Sequence, residues 1–253
     1  MAKQEGEKDM EPSKKTKVWI CASTELEAQS IPLSWKKWGM ESLIVGVGIP
    51  EVLSTLYNKY LLLDEREKPT FIINVGIAGV YPKSYNEKKM GIGDLVLGTS
   101  DCYGDVGMEL PDSVGNASSR FTPITTTDFG GFYKKIFSFE PYPDWMQTSS
   151  DHDFNIHLGK GCTVNQCTGR DSTGIYREKV FTVDFESMEG AALAQFANQY
   201  QIPIWQIRAF SNVAANRNMD PRNIQKSLNN LEEYLDAQTV SLLEWIDSKE
   251  KEI

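Results

Sequence analysis

Three short runs of nearly unbroken apolar residues, KVWICA (17–22), ESLIVGVG (41–48) and TFIINVGIAG (70–79), most narrow what this chain can fold into. A strand with one wet face alternates apolar and polar residues. A strand covered on both faces reads as a continuous apolar run, the mark of a parallel sheet between two layers of helix. Between the second and third runs lies PEVLSTLYNKYLLL (50–63), where Leu53, Leu56, Tyr57, Tyr60 and Leu61 recur at helical spacing behind a proline suited to a first helical turn. The rhythm returns with GDLVLGTS (93–100), TVNQC (163–167), the Ala-rich MEGAALAQFANQY (188–200), PIWQIRAFS (203–211) and a long helix predicted from about Ile224 to Asp247. The expectation is an α/β fold in three layers, αβα, around a central mixed and mostly parallel sheet.

With 253 residues, 40% of them apolar, the chain has material for a sizeable core, and α/β folds of this length often form one unit. The reading is a single domain over 17–253 behind a flexible tail, 1–16. That tail mixes both charge signs without an apolar segment, so it fits neither a secretory signal nor a targeting helix. No apolar run approaches the ~18 residues of a membrane span. A formal charge of −9 opposes a nucleic-acid or anionic-membrane surface, which leaves small molecules as partners. Cys21, Cys102, Cys162 and Cys167 make no C-x-x-C pair and read as buried, reduced thiols in a cytoplasmic protein. Residues 109–160 break the rhythm, yet their aromatics argue against a disordered linker. DFGGFYKKIFSF (128–139) reads as a short helix packed on the domain, with an active-site flap as the alternative.

Several chemical signals are weak. GVG at 46–48 lacks the third glycine of a dinucleotide fingerprint, because position 51 is Glu51. His152 and His157 flank Asp151 and Asp153 but have no partner at a metal-ligand spacing, so a surface loop explains them and no metal is expected. Acidic residues at strand ends say more. Glu25 and Glu27 follow the first strand, where open α/β sheets bind ligands. In FESMEGAA (185–192), Glu189 precedes Gly190, Ala191 and Ala192, small residues that let backbone approach while a carboxylate faces a cavity. The preference of helix N-termini for acids is the competing explanation of Glu25 and Glu27, and a capping role that of Glu189. The strand IWQI then runs into Arg208, Ser211 and Asn212, polar groups that would cost roughly 1–3 kcal/mol each if buried unpaired.

Taken in order, STELEA (23–28), NVGIAG (74–79), GIGDLVL (91–97) with YGDVG (103–107), FESMEGAA (185–192) and RAFSN (208–212) resemble the nucleoside phosphorylase and nucleosidase superfamily. Within it the likeness is greatest to the futalosine hydrolases of menaquinone biosynthesis. The resemblance covers nearly all of the chain after the tail, apart from 109–160. It implies cleavage of a purine N-glycosidic bond with no cofactor and at least a dimer, with the segment after Tyr103 near the subunit contact. It implies that Glu27 holds the attacking water beside Arg208, and that Glu189 takes the ribose hydroxyls with Met188 packed beneath the sugar. Ile77, Ala78, Ser211 and Phe185 are then expected at the substrate, and Phe185 or the stretch from Asp171 to Tyr176 would supply the apolar slot for the purine.

The chemistry suits these residue types. Glycosidic cleavage builds positive charge on the ribose, so nearby carboxylates favour the transition state over the ground state, and one of them can take a proton from water. Two departures from relatives discriminate. Phosphorylases of the superfamily carry Arg and Ser for phosphate around the third strand, where this chain has Asn74 and Ile77, so water is the expected nucleophile. Adenine-releasing nucleosidases end the late motif in Ser-Asp, and this chain has Ser211-Asn212. An amide NH2 donates to the N7 and O6 acceptors of hypoxanthine. The expected reaction is therefore futalosine hydrolysis. The alternatives are a methylthioadenosine, adenosylhomocysteine or aminodeoxyfutalosine nucleosidase, and a nucleoside-binding relative without catalysis. Arg120, Lys134, Lys135 and Arg170 are cations available to the benzoate of futalosine.

Overall fold

The computed structural model describes residues 16–38, 40–109, 121–123, 136–148, 152–215 and 219–251. Strand β1 (Val18–Ala22) is buried along its whole length. Val18, Ile20 and Ala22 face one apolar cluster and Trp19 and Cys21 the other, the two-sided burial that a continuous apolar run requires. Helices α1 (Glu25–Ala28) and α2 (Leu33–Lys37) lead to β2 (Glu41–Ile44). Helix α3 (Ile49–Leu61) starts behind Gly48, whose φ of 86° suits a residue without Cβ, and carries Pro50 in its first turn. Next come β3 (Phe71–Val80), α4 (Pro82–Asn86), β4 (Leu95–Asp101), the β5 (Gly107–Glu109) and β6 (Phe121–Pro123) pair, β7 (Phe137–Ser138) and β8 (Ile156–Thr163). The chain ends with α5 (Asp171–Phe181), β9 (Phe185–Ser187), α6 (Gly190–Tyr200), β10 (Ile204–Val213), α7 (Pro221–Ala237) and α8 (Thr239–Lys251).

The sheet is mixed and mostly parallel. Strands β1–β2, β1–β3, β3–β10, β4–β8 and β8–β9 pair in parallel, and β4–β10, β3–β9 and β4–β7 antiparallel. Because β10 lies between β4 and β3 while β8 and β9 also link those two strands, this part of the sheet curls into a closed ring, from which β1 and β2 extend. Curling gathers the strand ends that carry the polar residues. On one side, Val52, Leu56 and Tyr60 of α3 and Ala191, Leu193 and Phe196 of α6 pack on Trp19 and Ile72. Phe196 stacks on Trp19 at 6.2 Å between ring centroids and meets Tyr60 edge-on at 5.5 Å. Removing that ring would cost about 3–5 kcal/mol. On the other side, Leu231, Tyr234 and Leu235 of α7 and Leu242 and Ile246 of α8 cover Ile20, Phe71 and Trp205.

Four local expectations change. TVNQC is not a strand: β8 ends at Thr163, and its sequence IHLGKGCT, with two glycines and a lysine, hides a strand in a polar pattern. The long terminal helix is two helices meeting at Gln238, a break that lets both α7 and α8 face the same apolar cluster. His157 lies in β8 bonded to Asp94 at 3.1 Å, and His152 stacks on Phe154 and bonds Glu233 at 2.9 Å, so neither occupies a bare surface loop. The four cysteines form no disulfide, but Cys167 is only half-buried. Residues 1–15 of the expected tail and 128–135 of the expected 128–139 helix lie outside the described residues, and Phe137 and Ser138 form β7. No described helix is long and apolar enough to cross a membrane.

Candidate active site

The carboxyl ends of β1, β3 and β10 converge with the start of α6 around a cavity of about 290 Å³, near the lower end of the range of roughly 300–1,000 Å³ for small-molecule sites. Larger spaces exist, including one of about 550 Å³ between β7 and the end of α6. The smaller cavity is where buried charges meet.

Glu27 reaches it from the single turn of α1, fixed by Thr24, whose hydroxyl accepts from the Glu27 N–H at 3.2 Å. One Glu27 oxygen accepts from the Ile77 N–H at 2.8 Å, and the other accepts from the Ser23 hydroxyl at 2.5 Å and the Thr24 hydroxyl at 3.3 Å. Three donors thus hold a carboxylate that is 6% exposed. Glu189 stands at the N-cap position of α6 and its side chain caps no helical N–H. It accepts instead from the Met188 N–H at 3.3 Å and from Arg208 Nη2 at 3.5 Å. Burial pushes its carboxyl up from 4.5 to about 7; Arg208 opposes the rise and Glu27 adds to it.

Arg208 is fully buried between these acids, its Nη1 3.9 Å from Glu27 and its Nη2 donating to Asn74 Oδ1 at 3.0 Å. Register explains the fit. Arg208 lies opposite Gly76 on β3, and a Cβ there would fall on the guanidinium and on the Glu27 carboxylate. Past Phe210 the β3–β10 register slips, a bulge that turns Ser211 and Asn212 into the cavity. The Asn212 Nδ2 donates to the Val213 carbonyl at 3.1 Å, and its Oδ1 accepts from the Ser211 hydroxyl at 3.1 Å.

Of the residues expected at a substrate, Glu27, Ile77, Ala78, Met188, Glu189, Ser211 and Asn212 line this cavity, and Arg208 lies directly behind it. Phe185 does not. It is fully buried against Phe210 at 6.3 Å, on a strand position that points into the core. Asp171 to Tyr176 form part of α5 and also lie off the cavity, whose apolar wall comes from Leu26, Val47, Ile77, Met219 and Ile224. Arg170 is exposed, and Arg120, Lys134 and Lys135 lie outside the described residues.

Ser23, Cys167 and Glu186 also line the cavity and were not singled out for it. Glu186 ties down the segment after β8, accepting from the Thr168 N–H at 2.8 Å and the Thr168 hydroxyl at 2.6 Å. Ser23 was legible as a hydroxyl four residues before Glu27, and Asn74 as one amide in an apolar strand. Among the described residues no group of three or more His, Cys, Asp or Glu stands together as a metal site.

The sequence and the fold resemble those of known proteins. The chain matches the Phosphorylase superfamily across residues 20–244. It is 26% identical over 179 residues to 5'-methylthioadenosine/S-adenosylhomocysteine nucleosidases of Bacillus thuringiensis (strain Al Hakam) and Bacillus cereus (strain AH187), covering 70% of this chain and 70% of each relative. A futalosine hydrolase mutant of Helicobacter pylori superposes with a TM-score of 0.67 at 14% identity, covering 89% of this chain and 99% of that one. The 5'-methylthioadenosine/S-adenosylhomocysteine nucleosidase of Helicobacter pylori, bound to butyl-thio-DADMe-Immucillin-A, gives the same TM-score and identity over 90% and 99%. With residues 20–244 matched, most of its length, the chain belongs to the Phosphorylase superfamily.

Proposed function

We propose that this protein hydrolyses the N-glycosidic bond of a 5'-modified purine nucleoside, with futalosine as substrate and hypoxanthine as leaving base. The observation that carries the reading is the pair Glu27 and Glu189 held around Arg208 at the edge of an apolar cavity. Such a cavity strengthens any interaction with charge that develops during the reaction. Glu27 takes a proton from water as the water attacks the anomeric carbon, and Arg208 steadies the carboxylate. Glu189 accepts from the sugar hydroxyls and stabilises the positive charge on the ribose, while Met188 packs beneath it. Ile77, Ala78 and Ser211 border the base, with Asn212 at its polar edge. Water is the nucleophile because Asn74 is turned away to bond Gln206 and Arg208, and Ile77 offers no charge to a phosphate.

Asn212 favours futalosine. Its amide donates to the O6 of hypoxanthine and meets the amino group of adenine donor against donor. The second reading, a methylthioadenosine or adenosylhomocysteine nucleosidase, is supported by the 26% identical relatives. Chromatography of purines released from futalosine, aminodeoxyfutalosine and methylthioadenosine separates them. Hypoxanthine from futalosine is expected to dominate, and faster adenine release from methylthioadenosine would favour the second reading.

A further inference from the structure

Behind the cavity, four buried side chains form one line of hydrogen bonds. Arg208 Nη2 donates to Asn74 Oδ1 at 3.0 Å, Asn74 Nδ2 to Gln206 Oε1 at 3.0 Å, and Gln206 Nε2 to Asp101 Oδ2 at 2.9 Å. The other Asp101 oxygen accepts from the Thr163 hydroxyl at 2.9 Å, which itself accepts from the Ala191 N–H at the start of α6. All four links are at most 1% exposed. The fold makes room for them: a Cβ on Gly190 would fall on Asp101 and Gln206, one on Gly161 on Asp101, and one on Gly98 would lie 3.0 Å from Gln206 Nε2.

The two ends of the line are not alike. A guanidinium only donates and a carboxylate only accepts, whereas the amides between them can each be turned either way. With donor-only Arg208 at one end and acceptor-only Asp101 at the other, a single sense of both amides satisfies every link. We infer that Asp101 is a positioning residue for the proposed hydrolysis: by fixing the sense of Gln206 and Asn74, it presents an oxygen to Arg208 and holds the guanidinium between Glu27 and Glu189. Asp101→Asn removes the directing end. The Thr163 hydroxyl, which already accepts from the Ala191 N–H and donates toward position 101, keeps the oxygen of the new amide, so its NH2 faces Gln206; Gln206 then turns, Asn74 turns after it, and an NH2 meets the guanidinium.

The inference rests on the hydrolytic reading for its effect on rate, and its logic prescribes a rescue. In Asp101→Asn/Gln206→Glu the acceptor-only group moves one link along: the amide now at position 101 donates to the carboxylate now at position 206, which still accepts from Asn74. Asp101→Asn alone loses about 10²-fold in kcat with little change in KM, the scale of a misplaced catalytic group. Gln206→Glu alone sets two carboxylates face to face and also loses activity. The double variant recovers most of the rate. Singles that lose nothing, or a double no better than the worse single, overturn the inference. If the wild type releases no purine from any nucleoside, the hydrolytic reading fails by itself, and NMR of the Arg208 guanidinium N–H resonances in the full chain still decides on positioning. They should shift in Asp101→Asn and return in the double variant, and resonances unmoved by Asp101→Asn, or a double in which they fail to return, overturn it. The same spectra identify a variant that has failed to fold, in which case Asp101→Glu, which keeps the acceptor, must retain the wild-type guanidinium resonances, and their loss there counts against the inference.

Discussion

Replacing Glu189 by Gln should make the protein more stable at alkaline pH and less active. The side chain is 4% exposed, and burial lifts its carboxyl from 4.5 to about 7 despite Arg208 at 3.5 Å. A carboxyl whose pKa is higher folded than unfolded binds its proton more tightly in the folded state. Stability therefore falls as pH rises between about 4.5 and about 7, as the unfolded chain releases the proton first. At 1.36 kcal/mol per pKa unit, that window amounts to on the order of 3 kcal/mol. The Gln variant mimics the protonated acid and escapes the loss. At about pH 5, where only about 0.8 kcal/mol has been lost, the variant should melt about 2–3 °C higher, and at about pH 8 roughly 6–12 °C higher, at about 2–4 °C per kcal/mol for a chain of this size. Calorimetric scans at both pH values decide the point. An equal difference at both, or a less stable variant at high pH, would refute a buried carboxylate held there against its solvation. Turnover by the variant should drop about 10²–10³-fold, as when one group that stabilises developing charge is lost.

Glu27→Gln should lose about 10² or more in kcat, the scale of general-base catalysis, at a cost in stability under about 1 kcal/mol, because its amide oxygen can keep the Ile77 N–H and its NH2 can donate to Ser23. Paired kinetics and melting would show it, and a loss under tenfold would move the base elsewhere. Gly76→Ala should impair activity at least as strongly, since its methyl displaces both Arg208 and Glu27, and an unchanged kcat/KM would contradict the geometry of the site. Asn212→Asp should lower kcat/KM for futalosine and raise it relatively for aminodeoxyfutalosine, because a carboxylate accepts from the adenine amino group. Equal losses on both would leave Asn212 with its bonds to Val213 and Ser211 alone.

The layers and most strands were legible because two-sided burial writes itself into continuous apolar runs, as at 17–22 and 70–79. The site acids were legible because the carboxyl ends of such strands are where a ligand can reach the backbone. Long-range register was not legible. Asn74 and Gln206 each stand out as an amide in an apolar strand, but their bond spans 132 positions and depends on the β3–β10 pairing. Phe185 misled because an aromatic beside the Glu186 and Glu189 motif suits a purine slot, while strand alternation turns it toward Phe210. Strand β8 was missed because most of it falls in the stretch 109–160 that breaks the apolar rhythm, with glycines at 159 and 161. At both positions a Cβ would meet a side chain of a neighbouring strand or turn, Val96 at Gly159 and Asp101 at Gly161, so packing chose glycine.

That water, and not phosphate, attacks the anomeric carbon is tested most directly by running the reaction in heavy-oxygen water with phosphate present, quenching before the free sugar exchanges its anomeric oxygen with solvent, and weighing the sugar product. Hydrolysis leaves one labelled oxygen on the anomeric carbon of a free sugar, with purine released in equal amount. A sugar 1-phosphate without the label, or label in the purine, would contradict it.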